Sequence, residues 1–169
     1  MFMRNAWYVA ASETELGEEL LAVKLLNESV VLYRKGDGTP VALEDACPHR
    51  KLPLSLGRRK GDDIECGYHG LTFDCSGSCV KAPGSSHVPK GAKVRSYPLQ
   101  VRYGLIWIWM GDAELADADK ICQVPEWDDP AWGLNRGDSM LIPCNYLYMT
   151  DNLLDPSHVA WVHQSSFGN

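Results

Sequence analysis

The chain has 169 residues and a mass of 18.8 kDa, enough for one domain, or for one domain and part of another. Its 45% hydrophobic and 22% charged residues are typical of a folded globular protein and exclude a disordered or collagen-like chain. The net charge of −6 argues against nucleic acid or an anionic membrane surface as a partner. The sequence has neither a signal-like apolar run at its start nor the roughly 20 apolar residues of a membrane helix, so we expect a cytoplasmic protein.

Short runs of β-branched and aromatic residues predict an all-β region between residues 20 and 110. The predicted strands cover residues 20–26, 29–33, 41–44, 71–74, 94–101 and 105–110. In the last of these the alternating pattern predicts a core strand with Trp107 and Trp109 packed. Glycine-containing connections at 35–39 and 75–79 predict hairpins, and residues 12–15 have the capping-box spacing of a short helix.

The composition of the sequence changes after residue 110. Residues 111–120 are acidic and predict a helix, and a connection punctuated by prolines follows at 125–132. We therefore predict a first domain over residues 1–115 and the start of a second over 116–169. Within the second domain, the segment beginning at Asn145 predicts a helix with enough apolar positions for a buried face.

Two cysteine–histidine motifs lie within the predicted β region. They are Cys47-Pro-His49 and Cys66-Gly-Tyr-His69, each placed between strand-like runs. Two similar loops of this kind can hold a [2Fe–2S] cluster, with both cysteines on one iron and both histidines on the other. The same four side chains also satisfy tetrahedral zinc, although the single residue between Cys47 and His49 is unusual for zinc. Both interpretations stay open at this point.

Three glycines and four further cysteines carry weaker signals. Glycines near the two motifs favour close approach of the backbone to cluster sulfides, or serve simply as turn residues; they are Gly57, Gly67 and Gly70. The remaining cysteines fit no ligand spacing and are predicted to be free thiols; they are Cys75, Cys79, Cys122 and Cys144.

The two motifs and their separation resemble the Rieske iron–sulfur domain of Rieske-type non-haem iron oxygenases. In the cytochrome-complex branch of the Rieske proteins, one extra cysteine in each loop forms a bridging disulfide. Here Tyr68 stands beside His69, and the first loop continues Arg50-Lys-Leu-Pro without a cysteine. The resemblance thus implies the lower-potential branch, with a reduction potential near about −150 mV. Residues 4–10 and 80–84 further resemble the vanillate and dicamba O-demethylase branch.

A second constellation lies in residues 151–163, which contain two of the five histidines. At 100° per residue, His158 and His163 lie about 140° apart and converge only if the helix distorts or ends between them. Pro156 is a candidate cause of such an irregularity. On the pattern alone, two histidines near a helix end more often have a structural role, and a metal site is the alternative.

The segment Asp-Asn-Leu-Leu-Asp-x-x-His-x4-His, beginning at Asp151, resembles the mononuclear iron motif of the same family. The resemblance implies that His158 and His163 are Fe(II) ligands, and that a carboxylate expected beyond Asn169 completes a facial triad. It also implies that Asp155 links a cluster ligand, here His69, to His158 across a subunit boundary. Asn152 matches a residue of the iron pocket. Pro156 departs from the family, where leucine is more frequent.

The resemblance implies a fold and a function. We expect an all-β Rieske domain followed by the start of an α+β helix-grip catalytic domain, apparently truncated. The expected activity is that of a terminal oxygenase acting with O2 on a small aromatic compound, for example by O-demethylation with release of formaldehyde. A flavin and [2Fe–2S] reductase would supply electrons from NAD(P)H to a homotrimer. The alternatives are a Rieske ferredoxin-like carrier and a zinc-stabilised binding module.

Overall fold

We describe the chain from a computed structural model, in residues 2–85, 87–134 and 140–166. The chain divides into two compact units, Met1–Leu134 and Asn135–Asn169. The strands of the first unit are β1 (Ala6–Ser12), β2 (Leu21–Leu25), β3 (Glu28–Arg34), β4 (Pro40–Glu44), β5 (Arg58–Lys60), β6 (Asp63–Glu65), β7 (Thr72–Phe73), β8 (Cys79–Lys81), β9 (Leu99–Arg102) and β10 (Leu105–Met110). The second unit contains helices α1 (Tyr146–Leu154) and α2 (Val159–Val162). The predicted boundary near residue 115 stays a prediction.

A central antiparallel sheet, ordered β2-β3-β4, is covered on both faces. Side chains of β3 alternate between two cores: Val31 and Tyr33 enter one, and Val30 and Leu32 enter the other. This alternation follows from the two-residue repeat of a strand. Because both faces are buried, β3 reads in the sequence as an unbroken apolar run.

Two outer antiparallel sheets use these two cores. The sheet β1-β10-β9 contributes Ile106, Ile108 and Met110 to the core that Val30 and Leu32 enter. The sheet β5-β6-β7-β8 lies at the other core, where Ile64 and Phe73 are fully buried. Cys47 and Cys66 belong to this second core, so the two motifs are anchored on packed apolar side chains.

The strand predictions are largely confirmed. The strand at 105–110 has the predicted bounds, and both hairpin connections close where expected, between β3 and β4 and between β7 and β8. The predicted run at 94–101 begins too early, because the regular strand starts at Leu99. Trp109 is fully buried and Trp107 is half-buried. The sequence did not predict β1, β5, β6 or β8.

Two helix predictions in the first unit are wrong. At residues 12–15 both capping-box hydrogen bonds form, from Ser12 N to Glu15 Oε2 (2.7 Å) and from Glu15 N to Ser12 Oγ (3.2 Å), but they close a turn. The segment 111–120 forms two short 3-10 helices, Ala113–Leu115 and Ala118–Lys120. Asp112 and Asp117 each cap one of them, so the carboxylates interrupt the helix that the composition suggested.

The predicted helix forms as α1, but the predicted buried face is wrong, because none of the α1 residues is buried in the part of the chain that the structure describes. Asn145 caps α1 by accepting a hydrogen bond from Leu147 N at 3.0 Å. A 3-10 turn (Pro156–His158) separates α1 from α2, with Pro156 in its first turn. Of the residues that the structure describes, none belong to a helix long and apolar enough to cross a membrane.

Candidate functional site

The two loops that carry the cysteine–histidine motifs share one hydrogen-bond frame. In each loop the backbone N–H of the cysteine donates to the carbonyl oxygen of the residue five positions later. The carbonyl oxygen of the same cysteine accepts from the N–H of the residue four positions later. The four bonds are Cys47 N to Leu52 O (2.9 Å), Lys51 N to Cys47 O (2.8 Å), Cys66 N to Leu71 O (2.8 Å) and Gly70 N to Cys66 O (3.0 Å). The fourth residue after each cysteine has positive φ, 58° at Lys51 and 72° at Gly70. The loops therefore fold the same way despite different sequences.

The frame brings the four predicted ligand side chains together. Cys47 and Cys66 are each 2% exposed, whereas His49 and His69 lie at the surface. The two imidazole Nδ1 atoms are 3.2 Å apart and the ring centroids 4.6 Å apart. The site is thus layered, with two thiols inside and two imidazoles outside.

Burial raises the pKa of the Cys47 thiol. The backbone amides of His49 and Arg50 lower this pKa, while the adjacent Cys66 raises it further. Two thiols this close cannot both ionise cheaply in an apolar core unless a positive centre binds between them. Iron supplies such a charge in a cysteine-ligated cluster.

The donor arrangement fits a two-iron cluster better than one zinc ion. Zinc requires all four donor atoms within about 2.0–2.3 Å of one point. The described residues contain no group of three or more His, Cys, Asp or Glu side chains placed to hold a single ion. The donors form instead a thiol pair and an imidazole pair, which face one narrow space between the two loops together with Leu52 and Leu71. This pairing matches the division of ligands in a [2Fe–2S] cluster with mixed cysteine and histidine ligation.

Two of the three glycines near the loops allow close backbone contacts, and their predicted approach to cluster sulfides stays a prediction. A Cβ at Gly57 would lie 2.3 Å from the Glu65 carbonyl oxygen, and one at Gly67 would lie 2.9 Å from the Leu56 carbonyl oxygen. These glycines let the segment after the first loop approach the backbone of the second loop.

Tyr68 is a site residue that the sequence did not single out. Its ring stacks on His69, with centroids 4.0 Å apart and planes at 28°, and the side chain is 58% exposed. The stack covers one face of the exposed His69 imidazole. The available signal was the aromatic residue next to the histidine in the second motif.

The second unit brings its two histidines together at the irregularity that Pro156 introduces. The centroids of His158 and His163 are 5.4 Å apart, with planes at 63°. The His158 Nδ1 donates to the Asp155 carbonyl oxygen, which leaves Nε2 as the basic nitrogen, facing the Asn152 side-chain amide at 3.2 Å. A backbone carbonyl that fixes the tautomer in this way is a common feature of metal-binding histidines.

Asp155 lies in the same cluster. Its carboxylate accepts hydrogen bonds from the Ser157 hydroxyl and from Ser157 N, the latter at 3.0 Å. The hydroxyl bond and then the amide bond hold the pKa of Asp155 below its usual range. Four residues that the motif predicted, Asn152, Asp155, His158 and His163, are therefore neighbours within this unit.

Fold and site together define a Rieske protein. Residues 6–98 match the Rieske [2Fe-2S] domain family, and the chain belongs to this family. Residues 142–169 match a second family, the vanillate O-demethylase oxygenase C-terminal domain.

The chain is similar over almost its whole length to oxygenase components and to a solved monooxygenase structure. The chain is 47% identical to a toluene-4-sulfonate monooxygenase system iron-sulfur subunit of Comamonas testosteroni, over 99% of this chain and 48% of that protein. It is 43% identical to a vanillate O-demethylase oxygenase subunit of Pseudomonas sp., over 99% and 47% respectively. A crystal structure of dicamba monooxygenase bound to dicamba aligns with a TM-score of 0.88 and 44% identity, over 96% of this chain and 49% of that one. The chain spans about half the length of the relatives it matches.

Proposed function

We propose that the chain belongs to the terminal oxygenase component of a multicomponent Rieske non-haem iron oxygenase. The proposed substrate is a small aromatic compound, and the proposed reaction is O-demethylation of a methoxybenzoate-like molecule. The observation that carries the proposal is the order of the two sites: a two-cysteine, two-histidine site, then a histidine pair in a segment matching the vanillate O-demethylase oxygenase family. The relatives are named for toluene-4-sulfonate, vanillate and dicamba.

In this proposal Cys47, His49, Cys66 and His69 hold the [2Fe–2S] cluster. A bound cluster of this type supplies one-electron transfer. The buried thiols fix its inner side on the core, and the exposed imidazoles face outward. Around the imidazoles lies an open apolar rim that includes Pro83, Pro89 and Ala92. Such a rim offers a dry contact surface for a redox partner.

The second site belongs to the start of a catalytic domain, for which we propose a helix-grip fold. His158 and His163 are the proposed Fe(II) ligands, and Asn152 lines the iron pocket. A carboxylate outside the described residues would complete the triad that non-haem iron oxygenases use. Asp155, held in place by Ser157, is the proposed link between His158 and the cluster ligand His69 of a neighbouring subunit.

The proposed partners follow from this arrangement. We propose a flavin and [2Fe–2S] reductase as the electron donor from NAD(P)H, and a homotrimer as the assembly that brings Asp155 of one subunit to His69 of the next. A cytoplasmic location is supported by the cysteines, because all six are free.

A Rieske ferredoxin-like carrier is the alternative function. It is favoured by one observation: the first unit contains both cores and the complete four-residue donor set. A carrier gives no role to the histidine pair, and the family match at residues 142–169 therefore favours the oxygenase.

Oxygen consumption separates the two functions. We expect the protein that contains this chain, together with its reductase, to consume O2 in the presence of NADH and an aromatic methyl ether, and to release formaldehyde. Asp155→Ala should leave the iron and sulfide contents unchanged and abolish this turnover. Red-brown protein that accepts electrons but consumes no O2 with any aromatic substrate would identify a carrier, and zinc without sulfide would refute both.

A further inference from the structure

The two ligand loops must keep a fixed separation, because each supplies one thiol and one imidazole. All six cysteines are free, so no disulfide joins the loops. Non-covalent contacts must therefore set the distance between Cys47 and Cys66. One pair of hydrogen-bonded residues that the proposed function does not use, the buried Asp45 and the partly buried Ser55, flanks the first loop in the chain.

Asp45 is a buried carboxylate, 7% exposed, two residues before Cys47. Its Oδ1 accepts from Ser55 N at 2.7 Å, and its Oδ2 accepts from the Ser55 hydroxyl at 2.7 Å. Both carboxylate oxygens are thus used by one serine. Cys47 and His49 lie within the stretch of chain, residues 45–55, whose ends this pair of hydrogen bonds joins.

Ser55 needs such a partner because of where it lies. It is the middle residue of a 3-10 turn, Leu54–Leu56, whose preceding residue is Pro53. The first N–H groups of a helical turn lack partners within the turn, and proline has no side-chain acceptor to cap them. Asp45 supplies the acceptor from outside. Leu54, beside Ser55, is fully buried in the core that contains Cys47 and Cys66.

The same turn contacts the second ligand loop. Gly57 at its end lies against the backbone of Glu65, and the Leu56 carbonyl lies against Gly67. These contacts are backbone to backbone and leave no space for a side chain. A displacement of Ser55 would therefore move the loop of Cys66 as well.

The other end of the pair is fixed to the central sheet. Asp45 N donates to the Ser29 carbonyl oxygen at 2.9 Å, and Ser29 lies in β3. A continuous path of contacts runs from β3 through Asp45 and Ser55 to the second loop. It bypasses the ligands themselves.

We propose that Asp45 and Ser55 are positioning residues that set the separation of the two ligand loops and thereby retain the [2Fe–2S] cluster. The inference rests on the proposed ligand role of Cys47, His49, Cys66 and His69. Residues of this kind act through the ligands they hold, and their loss typically weakens metal retention about 10- to 100-fold.

The test compares Ser55→Ala with Tyr97→Phe in the full chain. Each change removes one partly buried hydroxyl that donates to a carboxylate, since the Tyr97 hydroxyl donates to Glu28 Oε2 at 2.8 Å beside the other core. Iron and acid-labile sulfide are measured first. The rate of loss of visible absorbance in excess EDTA, and the electron paramagnetic resonance spectrum after dithionite reduction, are then compared with wild type.

We expect Ser55→Ala to lose its cluster about 10-fold faster than wild type, with broadened resonance features. Tyr97→Phe should keep the wild-type rate and spectrum. Equal rates in the two variants would overturn the proposal while leaving the cluster assignment intact. Wild-type protein without iron and sulfide would instead overturn the assignment.

A second variant keeps the test decisive if Ser55→Ala does not fold. Asp45→Asn retains one oxygen acceptor and loses the other, so it should lose its cluster faster than wild type, by a factor below about 10. Ser55→Thr keeps the hydroxyl and should restore cluster retention. A wild-type rate of cluster loss in Asp45→Asn would contradict the proposed role.

Discussion

The two histidine pairs of this chain are held in place in different ways. His49 and His69 project from loops whose cysteines are buried in a core and whose backbones share one hydrogen-bond frame. His158 and His163 meet at a break between two helices, where the large apolar side chains Leu153, Leu154 and Trp161 are each at least 75% exposed. The first site depends on tertiary packing, whereas the second depends on local turn geometry. Different substitutions should therefore disable them.

Removal of a buried thiol should have the largest effect. Cys47→Ser replaces an inner ligand, so we expect complete loss of iron, sulfide and visible absorbance, because a cluster with one weak ligand is not retained. Cys75→Ser, at an exposed thiol outside the loops, is the matched control and should keep all three. Retention of the visible spectrum in Cys47→Ser would break the proposed division between inner and outer ligands.

The same leucine substitution should act differently in the two units. Leu54 is fully buried beneath the ligand loops, and Leu54→Ala should lower the free energy of unfolding by about 3 kcal/mol. Leu153 is 75% exposed, and Leu153→Ala should change it by about 0.5 kcal/mol or less. Urea unfolding followed by tryptophan fluorescence measures both. Equal losses of unfolding free energy in the two variants would mean that α1 packs as tightly as the first unit. The proposed difference between the two units would then be wrong.

A smaller effect tests whether the ligand loops depend on the far side of the first unit. Burial raises the pKa of Glu28, but hydrogen bonds from Arg4 and Tyr97 and attraction to Arg4 and Arg95 outweigh it, so the pKa lies below its ordinary value of 4.5. A lowered carboxyl pKa stabilises the folded state above pH 4.5, and this stabilisation is lost as the pH falls through the folded-state value.

Glu28→Gln should therefore cost about 1 kcal/mol of unfolding free energy at neutral pH, with no change in cluster content. The difference from wild type should shrink as the pH falls below 4.5. Urea titrations at several pH values measure it, with the exposed Glu126→Gln as control. A difference that grows in acid would show that the sign of the Glu28 contribution is wrong.

Much of the first unit could be predicted from the sequence because its signals are local. Alternation gave the bounds of β10, and glycine-rich connections gave two hairpins. Strand β5, by contrast, consists of Arg58, Arg59 and Lys60, and has no apolar alternation to detect. It is a strand because it pairs with β6, and that pairing is a tertiary property.

The predicted site residues show the same division between local and tertiary signals. Cysteine and histidine are rare and chemically specific, so four candidate ligand positions could be proposed from residue type and spacing. Asp45 and Ser55 are common residues ten positions apart, and no periodicity joins them. Their relation exists only once the turn at Leu54–Leu56 has folded against the sheet.

The two ligand loops share one hydrogen-bond frame, but their corresponding positions 51 and 70 differ in the side chains that they tolerate. Lys51 has a left-handed backbone but an exposed side chain, 69% accessible, so other side chains fit there at modest conformational cost. Its counterpart Gly70 is also left-handed, and a Cβ there would lie 2.9 Å from Cγ of Pro83. Natural variation and laboratory selection should thus accept many residues at position 51 and glycine alone at position 70. The first loop is where descendants of this sequence can change surface charge without disturbing the metal centre.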